Sequence, residues 1–118
     1  MQVERRWSME QEFPIFEMQA ELCQVLGNPI RLRIVSALKS GPKCVNELVG
    51  ILKTVPQPTV SRHLGMLRMA GVLSTRRSGM EAIYEITNPK IVEVCEMMRT
   101  ILAERNTRQV ELLHQFEA

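Results

Sequence analysis

One stretch of the chain, Pro58–Ile86, constrains the fold more than the remaining sequence does. It reads PTVSRHLGMLRMAGVLSTRRSGMEAIYEI, with apolar residues at helical spacing in its first half and strand-like segments in its second half. Gly71 stands where a glycine commonly follows a helix, and Ser78–Gly79 reads as a hairpin turn. The stretch predicts a helix over about residues 57–70 and two paired strands over about 72–77 and 82–86.

The flanking sequence predicts further helices, which together with this stretch form one domain. Apolar spacing and Pro or Gly breaks place them over about residues 13–26, 29–39 and 45–52, and in a long last helix after Asn88–Pro89. Asn106–Thr107 is a potential interruption of that helix, before an apolar group at Val110, Leu112, Leu113 and Phe116. We expect residues 1–12 to be a flexible N-terminal arm and residues 13–118 to be the folded domain.

Charge is distributed unevenly along the chain, although the formal net charge is only +2. From Leu22 to Met80 there are nine Lys or Arg against one acid, Glu47, and we expect Arg31 and Arg33 to project outward. A basic middle suits a polyanion such as DNA, while chance clustering on a solvated face is the alternative.

Targeting signals are not visible in the sequence. The N-terminus lacks an apolar leader segment, and no apolar run is long enough for a membrane span. Three cysteines are an odd number that argues against a fully paired disulfide framework. We therefore expect a cytoplasmic protein with reduced thiols and no membrane partner.

The helix predicted over residues 57–70 has two faces. Val60, Leu64 and Leu67 share the side that would pack on the body of the domain. The other side and its flanks carry polar groups able to contact base edges or phosphates, namely Gln57, Thr59, Ser61, Arg62 and His63. An ordinary amphipathic surface helix is the alternative.

The predicted hairpin adds cations beside that helix. Arg76, Arg77 and Ser78 lie at or next to its turn. A protruding basic hairpin can straddle the DNA backbone or enter the minor groove, where the negative potential is enhanced. A plain solvated hairpin would carry no such function.

The segments LGNPIRLRIVSALKSGPKCVNELVGIL and PTVSRHLGMLRMAGVLSTRRSGMEAIYEI resemble the ArsR/SmtB family of bacterial winged-helix repressors, over about residues 20–104. The resemblance implies a mainly α winged helix-turn-helix with a β-hairpin, in the order α-α-α-α-β-β-α. It also implies a homodimer through the first and last helices, a fourth helix that reads an operator in double-stranded DNA, and release by a metal or another ligand.

Two positions depart from the family pattern. Pro56 stands where a Ser N-cap is frequent, after one extra residue in Lys53–Val55. Gly65 replaces a frequent Lys, which removes one expected phosphate contact. Both departures affect the details of the DNA contact.

The family's metal sites are not reproduced. Its paired-thiol motif reads Cys44-Val45-Asn46 in this chain, and its last-helix zinc positions hold Asn88, Lys90, Ile101 and Glu104. No metal site is therefore assigned, and His114, like His63, lacks a partner at ligand spacing.

The cysteines remain as candidate sensors. Cys44 matches a family sensor position, while Cys23 and Cys95 fall on helices that meet at the implied dimer interface. Three thiolates suit arsenite or another soft metal ion, and two could form a redox-sensing disulfide. Small buried hydrophobic residues, and hence a repressor without a cysteine-based sensor, are the alternative.

Three function classes remain to be compared. The sequence favours a sequence-specific repressor released by a thiol-reactive signal, either a soft metal or a redox or sulfur species. A winged-helix protein-interaction module without DNA readout is the alternative, allowed by Gly65, Met66 and Met69. An enzyme is not expected, since no nucleophile–base pair, phosphate loop or carboxylate pair is recognisable.

Overall fold

The structure, a computed structural model, describes residues 2–107, 111 and 113–115, with side chains from residue 14 onward within these ranges. Val110, Leu112 and Phe116, expected to continue the last helix, lie outside the described residues. Five helices and three strands follow one another as α1 (Gln2–Leu26), α2 (Pro29–Leu38), β1 (Lys43–Cys44), α3 (Val45–Leu52), α4 (Gln57–Met69), β2 (Leu73–Ser78), β3 (Glu81–Ile86) and α5 (Lys90–Arg105).

Helix α1 begins earlier than the sequence indicated. Its expected start was about Phe13, but the helix begins at Gln2 and runs through Pro14. The predicted start at Phe13 was therefore wrong. The mobility of residues 1–12 stays a prediction.

Local signals explain where the middle helices begin and end. The Asn28 side chain accepts hydrogen bonds from the backbone N–H groups of Ile30 and Arg31 at 2.9 and 3.2 Å, and Pro29 occupies the first turn of α2. The Glu47 carboxylate accepts a hydrogen bond from the Cys44 N–H at 3.0 Å, which fixes the start of α3. The predicted bounds of α2, α3 and α4 agree with the structure to within one residue.

A tight turn joins α3 to α4. Lys53 has a φ of 59° and a ψ of −59°, and the Thr54 N–H donates to the Leu52 carbonyl at 2.6 Å, so these residues form a γ-turn. Val55 is buried in this connection, and Pro56 precedes the first turn of α4 with an extended ψ of 151°. The segment Lys53–Val55 thus sets the angle at which α4 leaves α3.

The sheet contains one more strand than predicted. β3 lies between β1 and β2, and both pairings are antiparallel. β1 was missed because a strand of two residues, Lys43 and Cys44, is too short to show an alternating pattern.

The hairpin turn lies at Gly79–Met80 rather than Ser78–Gly79, because Ser78 still pairs with Glu81. Gly79 has a φ of 64°, the left-handed conformation for which glycine is suited.

A single aliphatic core joins the helices to the base of the hairpin. The α4 residues predicted to face inward, Val60, Leu64 and Leu67, are all fully buried. They belong to a buried cluster with residues from α1, α2, α3, β2 and α5, including Leu26, Ile34, Val35, Leu38, Leu48, Leu52, Leu73, Val92 and Cys95. This packing leaves the opposite side of α4 exposed.

Two helices also expose apolar surface. One side of α5 packs on the core through Val92 and Cys95, whereas another side exposes residues at successive helical turns, namely Val94, Met97, Met98, Ile101 and Leu102. Helix α1 exposes Ile15, Phe16, Met18 and Leu22. Apolar stripes of this kind on a folded domain mark surfaces that another molecule covers.

Candidate nucleic-acid interface

The exposed side of α4 carries most of the polar groups that the sequence nominated. Gln57, Ser61 and Arg62 are exposed, and Thr59 is half-buried. The core residues on the other side hold the helix against the domain. Amide, hydroxyl and guanidinium groups are therefore held on a supported helix, which is the arrangement that reads base edges in a major groove.

The N-terminus of α4 offers fewer backbone donors than a typical helix start. Pro58 has no N–H, and the Thr59 N–H already donates to the Pro56 carbonyl at 3.0 Å. Fewer N–H groups are therefore available at this helix start to bind a phosphate. The helix dipole and the side chains supply the remaining attraction for an anion.

The hairpin of β2 and β3 presents its cations at the tip. Arg76, Arg77 and Ser78 are all exposed, and Arg76 lies opposite Ile83 whereas Arg77 lies opposite Ala82. Because side chains alternate along a strand, the two arginines point to opposite faces of the hairpin. The Arg76 Nε atom lies 4.0 Å from the Glu85 carboxylate, a contact too exposed and long to withhold the cation from a phosphate.

A shallow cleft connects the tip of the hairpin with the start of α4. It has a volume of about 190 Å³ and is bounded by the first residues of α3, by Gln57 and by the hairpin residues Met80, Glu81 and Ala82. The first turn of α4 and the hairpin tip are therefore neighbours. The exposed side of α4 at Gln57 and the hairpin tip thus form one continuous surface.

His63 does not lie where the sequence placed it. It was expected on an exposed flank of α4, but only 4% of the residue is exposed. Its Nδ1 atom lies 3.1 Å from the Arg31 Nη1 atom. Burial, together with the charges of Arg31 and Arg62, lowers the pKa of the His63 imidazole. Its expected exposure was wrong because α2 packs over this part of the α4 surface.

Three cations of the basic middle region have partners within the protein. Arg31 and Arg33 were expected to project outward. Arg31 is instead half-buried and contacts His63, whereas Arg33 is exposed as expected and also donates to the Leu52 carbonyl at 3.2 Å. Lys39 pairs with Glu96 on α5 at 2.6 Å. The cations of α4 and the hairpin therefore provide the basic surface, and all four are exposed: Arg62, Arg68, Arg76 and Arg77.

The three cysteines occupy different environments. Cys23 on α1 is exposed, Cys95 is buried in the core, and Cys44 is buried between α3 and β3, where it pairs with Ile83. Burial raises the pKa of the Cys95 thiol. At Cys44, a backbone hydrogen bond from Glu47 lowers the pKa, but burial and the carboxylates of Glu81 and Glu47 outweigh it and raise the pKa. Only Cys23 is exposed enough to react without a rearrangement.

Metal-ligating side chains do not cluster among the described residues. Within the described ranges, no three His, Cys, Asp or Glu side chains come close enough to hold a metal ion. Cys44, Cys23 and Cys95 therefore do not form a three-thiolate site within one described chain.

Arg31 is the functional candidate that sequence reasoning missed. Its position near the start of α2 suggested only a solvated cation, because nothing local reveals a partner on α4, 32 residues away. An arginine on α2 and a histidine on α4 could have suggested a contact between the two helices. Whether the two side chains meet depends on the packing angle of the helices, which the sequence does not give.

Comparison with known proteins identifies the architecture. The model of the family described as bacterial regulatory protein, arsR family, matches residues 28–75. The HTH-type transcriptional regulator Rv0081 of Mycobacterium tuberculosis is 34% identical over 110 residues, which are 93% of this chain and 96% of that protein. Its crystal structure superposes with a TM-score of 0.72, over 82% of this chain and 97% of the other.

Two further proteins are similar. The transcriptional repressor PagR of Bacillus anthracis is 38% identical over 91 residues, 76% of this chain and 90% of that protein, and its crystal structure gives a TM-score of 0.65. A homodimeric winged helix-turn-helix DNA-binding domain from Mycobacterium bovis shares the fold, with a TM-score of 0.69 at 22% identity over 79% of this chain and 85% of the other. Among the described helices, none has both the length and the apolar character needed to cross a membrane.

Proposed function

Because this chain belongs to the ArsR family of bacterial regulatory proteins, it is a winged helix-turn-helix transcriptional regulator and not an enzyme, and we propose that it represses transcription by binding a two-fold operator as a homodimer. The observation that carries the proposal is the cleft at the start of α4, which brings Gln57 beside the hairpin tip. A recognition helix and a basic wing that lie together meet neighbouring parts of the same duplex.

We assign the DNA contacts to two groups of side chains. Gln57, Thr59, Ser61 and Arg62 on α4 would contact base edges and nearby phosphates, with Arg62 suited to guanine. Arg76, Arg77 and Ser78 on the wing would contact the backbone or the minor groove. His63, nominated from the sequence for the same surface, is assigned a supporting role because it is buried.

A second copy of the chain is proposed to cover the apolar surfaces of α1 and α5. Two symmetric copies would bury Met97, Ile101 and their neighbours on α5, and Ile15 and Met18 on α1, all of which are exposed in the single chain. Two-fold symmetry then presents two recognition helices to half-sites about one helical turn, roughly 34–36 Å, apart.

The test of DNA binding is a salt titration. An operator is first enriched from a random duplex pool, and affinity for it is then measured by fluorescence anisotropy across a range of salt concentrations. For the parent protein we expect a steep loss, about 0.9 log units of affinity per log unit of salt for each phosphate contacted. Absence of salt-dependent binding to any duplex would leave the protein-interaction module as the better explanation.

The wing is tested with a double substitution in the same assay. Arg76→Ala with Arg77→Ala is expected to lower the salt slope by about 3.6 per dimer, since four phosphate contacts of about 0.9 each are lost. The matched control is Lys39→Ala with Arg99→Ala, which removes the same charge from exposed positions outside α4, the hairpin and the apolar stripe of α5. An unchanged slope in the wing variant would remove the wing from the interface.

A thiol-reactive signal is proposed to release the DNA, with Cys44 as the first candidate. Cys44 lines the cleft together with Gln57 and Glu81, so a group attached to its sulfur would separate α3, the wing and the start of α4. Cys44 is buried, so a reagent would reach its sulfur only when the β1–β3 contact opens, and its raised pKa further lowers the reactivity of the resting thiol. Cys23 and Cys95 would contribute if the two-fold partner brings them together.

DNA release should therefore depend on particular cysteines. The parent and the Cys44→Ser, Cys23→Ser and Cys95→Ser variants are titrated with arsenite, zinc, cadmium and persulfide while bound to the operator. If Cys44 is the sensor, the Cys44→Ser variant keeps its operator affinity and loses the response, whereas Cys23→Ser still responds. Equal responses in all four proteins would indicate a repressor without a cysteine-based sensor.

A further inference from the structure

One guanidinium group connects three helices of the domain. The Arg31 side chain, on α2, contacts His63 at 3.1 Å and donates to the Met66 sulfur at 3.3 Å, and both partners lie on α4. Its Nε and Nη2 atoms donate to the carbonyls of Val25 and Gln24 in the last turn of α1. The same side chain therefore reaches the recognition helix and the end of a helix with an exposed apolar surface.

The contact with α4 requires one protonation state of His63. A guanidinium has only donors, so the Nδ1 atom of His63 must accept the hydrogen bond. The imidazole is then neutral and carries its proton on Nε2. Its surroundings favour the same state, because burial and the positive charges of Arg31 and Arg62 lower its pKa.

The contact with α1 uses carbonyls that lack helical partners. The last four carbonyls of a helix accept no hydrogen bond from within it, and a cation placed there also complements the helix dipole. Arg31 satisfies the Val25 carbonyl and adds a longer contact, at 3.5 Å, to the Gln24 carbonyl, which also accepts from the Gly27 N–H. These contacts hold α2 against the end of α1. Because it is half-buried, these contacts are less screened by water than those of the exposed arginines.

We propose that Arg31 is a positioning residue for the recognition helix, which it ties through His63 to the C-terminal turn of α1. This inference rests on the proposed function, since it concerns how α4 is held for DNA. Arg31 itself does not contact the duplex. Its contribution is to fix the orientation of α4 before the DNA arrives, which reduces the ordering cost of binding.

The test compares Arg31→Lys with Arg33→Lys. Both substitutions keep the charge on α2, but Arg33 donates to the Leu52 carbonyl of α3 and does not reach α4 in the described contacts. In the free protein, amide hydrogen exchange of α4 is expected to become roughly three- to tenfold faster in Arg31→Lys and to stay near the parent rate in Arg33→Lys. Operator affinity should fall by a similar factor at every salt concentration, and it should fall likewise in Arg31→Gln without a change in the salt slope, because no phosphate contact is lost.

His63 adds a pH-dependent measurement to the test, because the contact with Arg31 requires the neutral imidazole. The pKa of a histidine with these surroundings is lower in the folded state than in the unfolded state. Once the pH falls below about 6.5, the folded state therefore binds fewer protons than the unfolded state. The parent should therefore lose stability and operator affinity below that pH, and Arg31 and Arg62 are the charged groups that oppose protonation. His63→Gln keeps an acceptor for Arg31, so we expect parent-like α4 exchange with this component of the pH dependence removed.

The outcomes separate this inference from the proposed function. If the parent binds no DNA, the proposed function fails, and hydrogen exchange of α4 still decides whether Arg31 holds the helix. If the parent binds DNA but Arg31→Lys matches Arg33→Lys in exchange and affinity, the inference is overturned and the function stands. A salt slope lowered by about 0.9 or more per protomer in Arg31→Gln, which removes the charge, would make Arg31 a phosphate contact and would also overturn it.

Discussion

Replacing Met97 and Ile101 with glutamate is expected to convert the protein to a monomer and to abolish binding to the operator. These side chains are 61% and 45% exposed in the single chain, and we propose that a second copy covers them. A carboxylate in an apolar interface loses its hydration, and two-fold symmetry repeats the loss on both protomers. At about 2 kcal/mol for each of four glutamates, association weakens by roughly six orders of magnitude.

The measurement is the molar mass in solution at micromolar concentration, by light scattering or sedimentation, followed by the operator titration. Ile51→Glu is the matched control, because Ile51 is an exposed apolar residue on α3, outside the proposed interface. The control should remain dimeric. Far-ultraviolet circular dichroism shows whether each variant is folded, since the substituted positions lie outside the core. A folded double variant that remains a dimer would place the interface elsewhere.

Arg62→Ala is expected to relax the base preference at one position of each half-site. A bidentate arginine–guanine contact is worth about 1–3 kcal/mol, so loss at both half-sites lowers operator affinity by about 2–6 kcal/mol. Arg62 is exposed on α4, whose buried side is fixed by the core, and its truncation should leave the free energy of unfolding nearly unchanged. The measurement is the affinity for the operator and for its single-base variants.

Arg68→Ala is the control for this substitution. Arg68 is also exposed on α4 but lies in the last turn, on a different side of the helix. Its loss should weaken binding to every duplex to a similar extent, and by less than Arg62→Ala weakens binding to the operator. If Arg62→Ala instead weakens every duplex equally, with a salt slope lowered by about 0.9 per protomer, Arg62 contacts phosphate rather than a base.

Sequence patterns predicted the middle of the fold closely for a physical reason. The starts and ends of α2, α3 and α4 depend on local signals, such as the Asn28 cap and the glycine at position 71, where the left-handed φ of 80° suits glycine. The buried side of α4 followed from helical spacing alone. Boundaries were less secure where a local bias competed with the continuing helix, as at Pro14, or where a strand was as short as β1.

The candidate site was predicted less completely. Sequence spacing selected Gln57, Ser61 and Arg62 correctly as exposed residues, because one buried face defines the opposite one. It failed for His63 and Arg31, since a residue on the flank of an amphipathic helix is covered or exposed according to the angle of its neighbours. That angle is set by contacts between α2 and α4, which helical periodicity does not contain.

The sequence by itself therefore determined the order of the helices and the hairpin, the core face of α4 and the basic character of the wing. Each of these depends on the spacing, capping and conformational limits of nearby residues. The tertiary structure alone decided that His63 and Cys44 are buried, that Arg31 and Arg33 bond within the protein, and that Gln57 lies beside the wing tip. These facts depend on distances between segments that are remote in the chain, which only the packing of the helices and the sheet fixes.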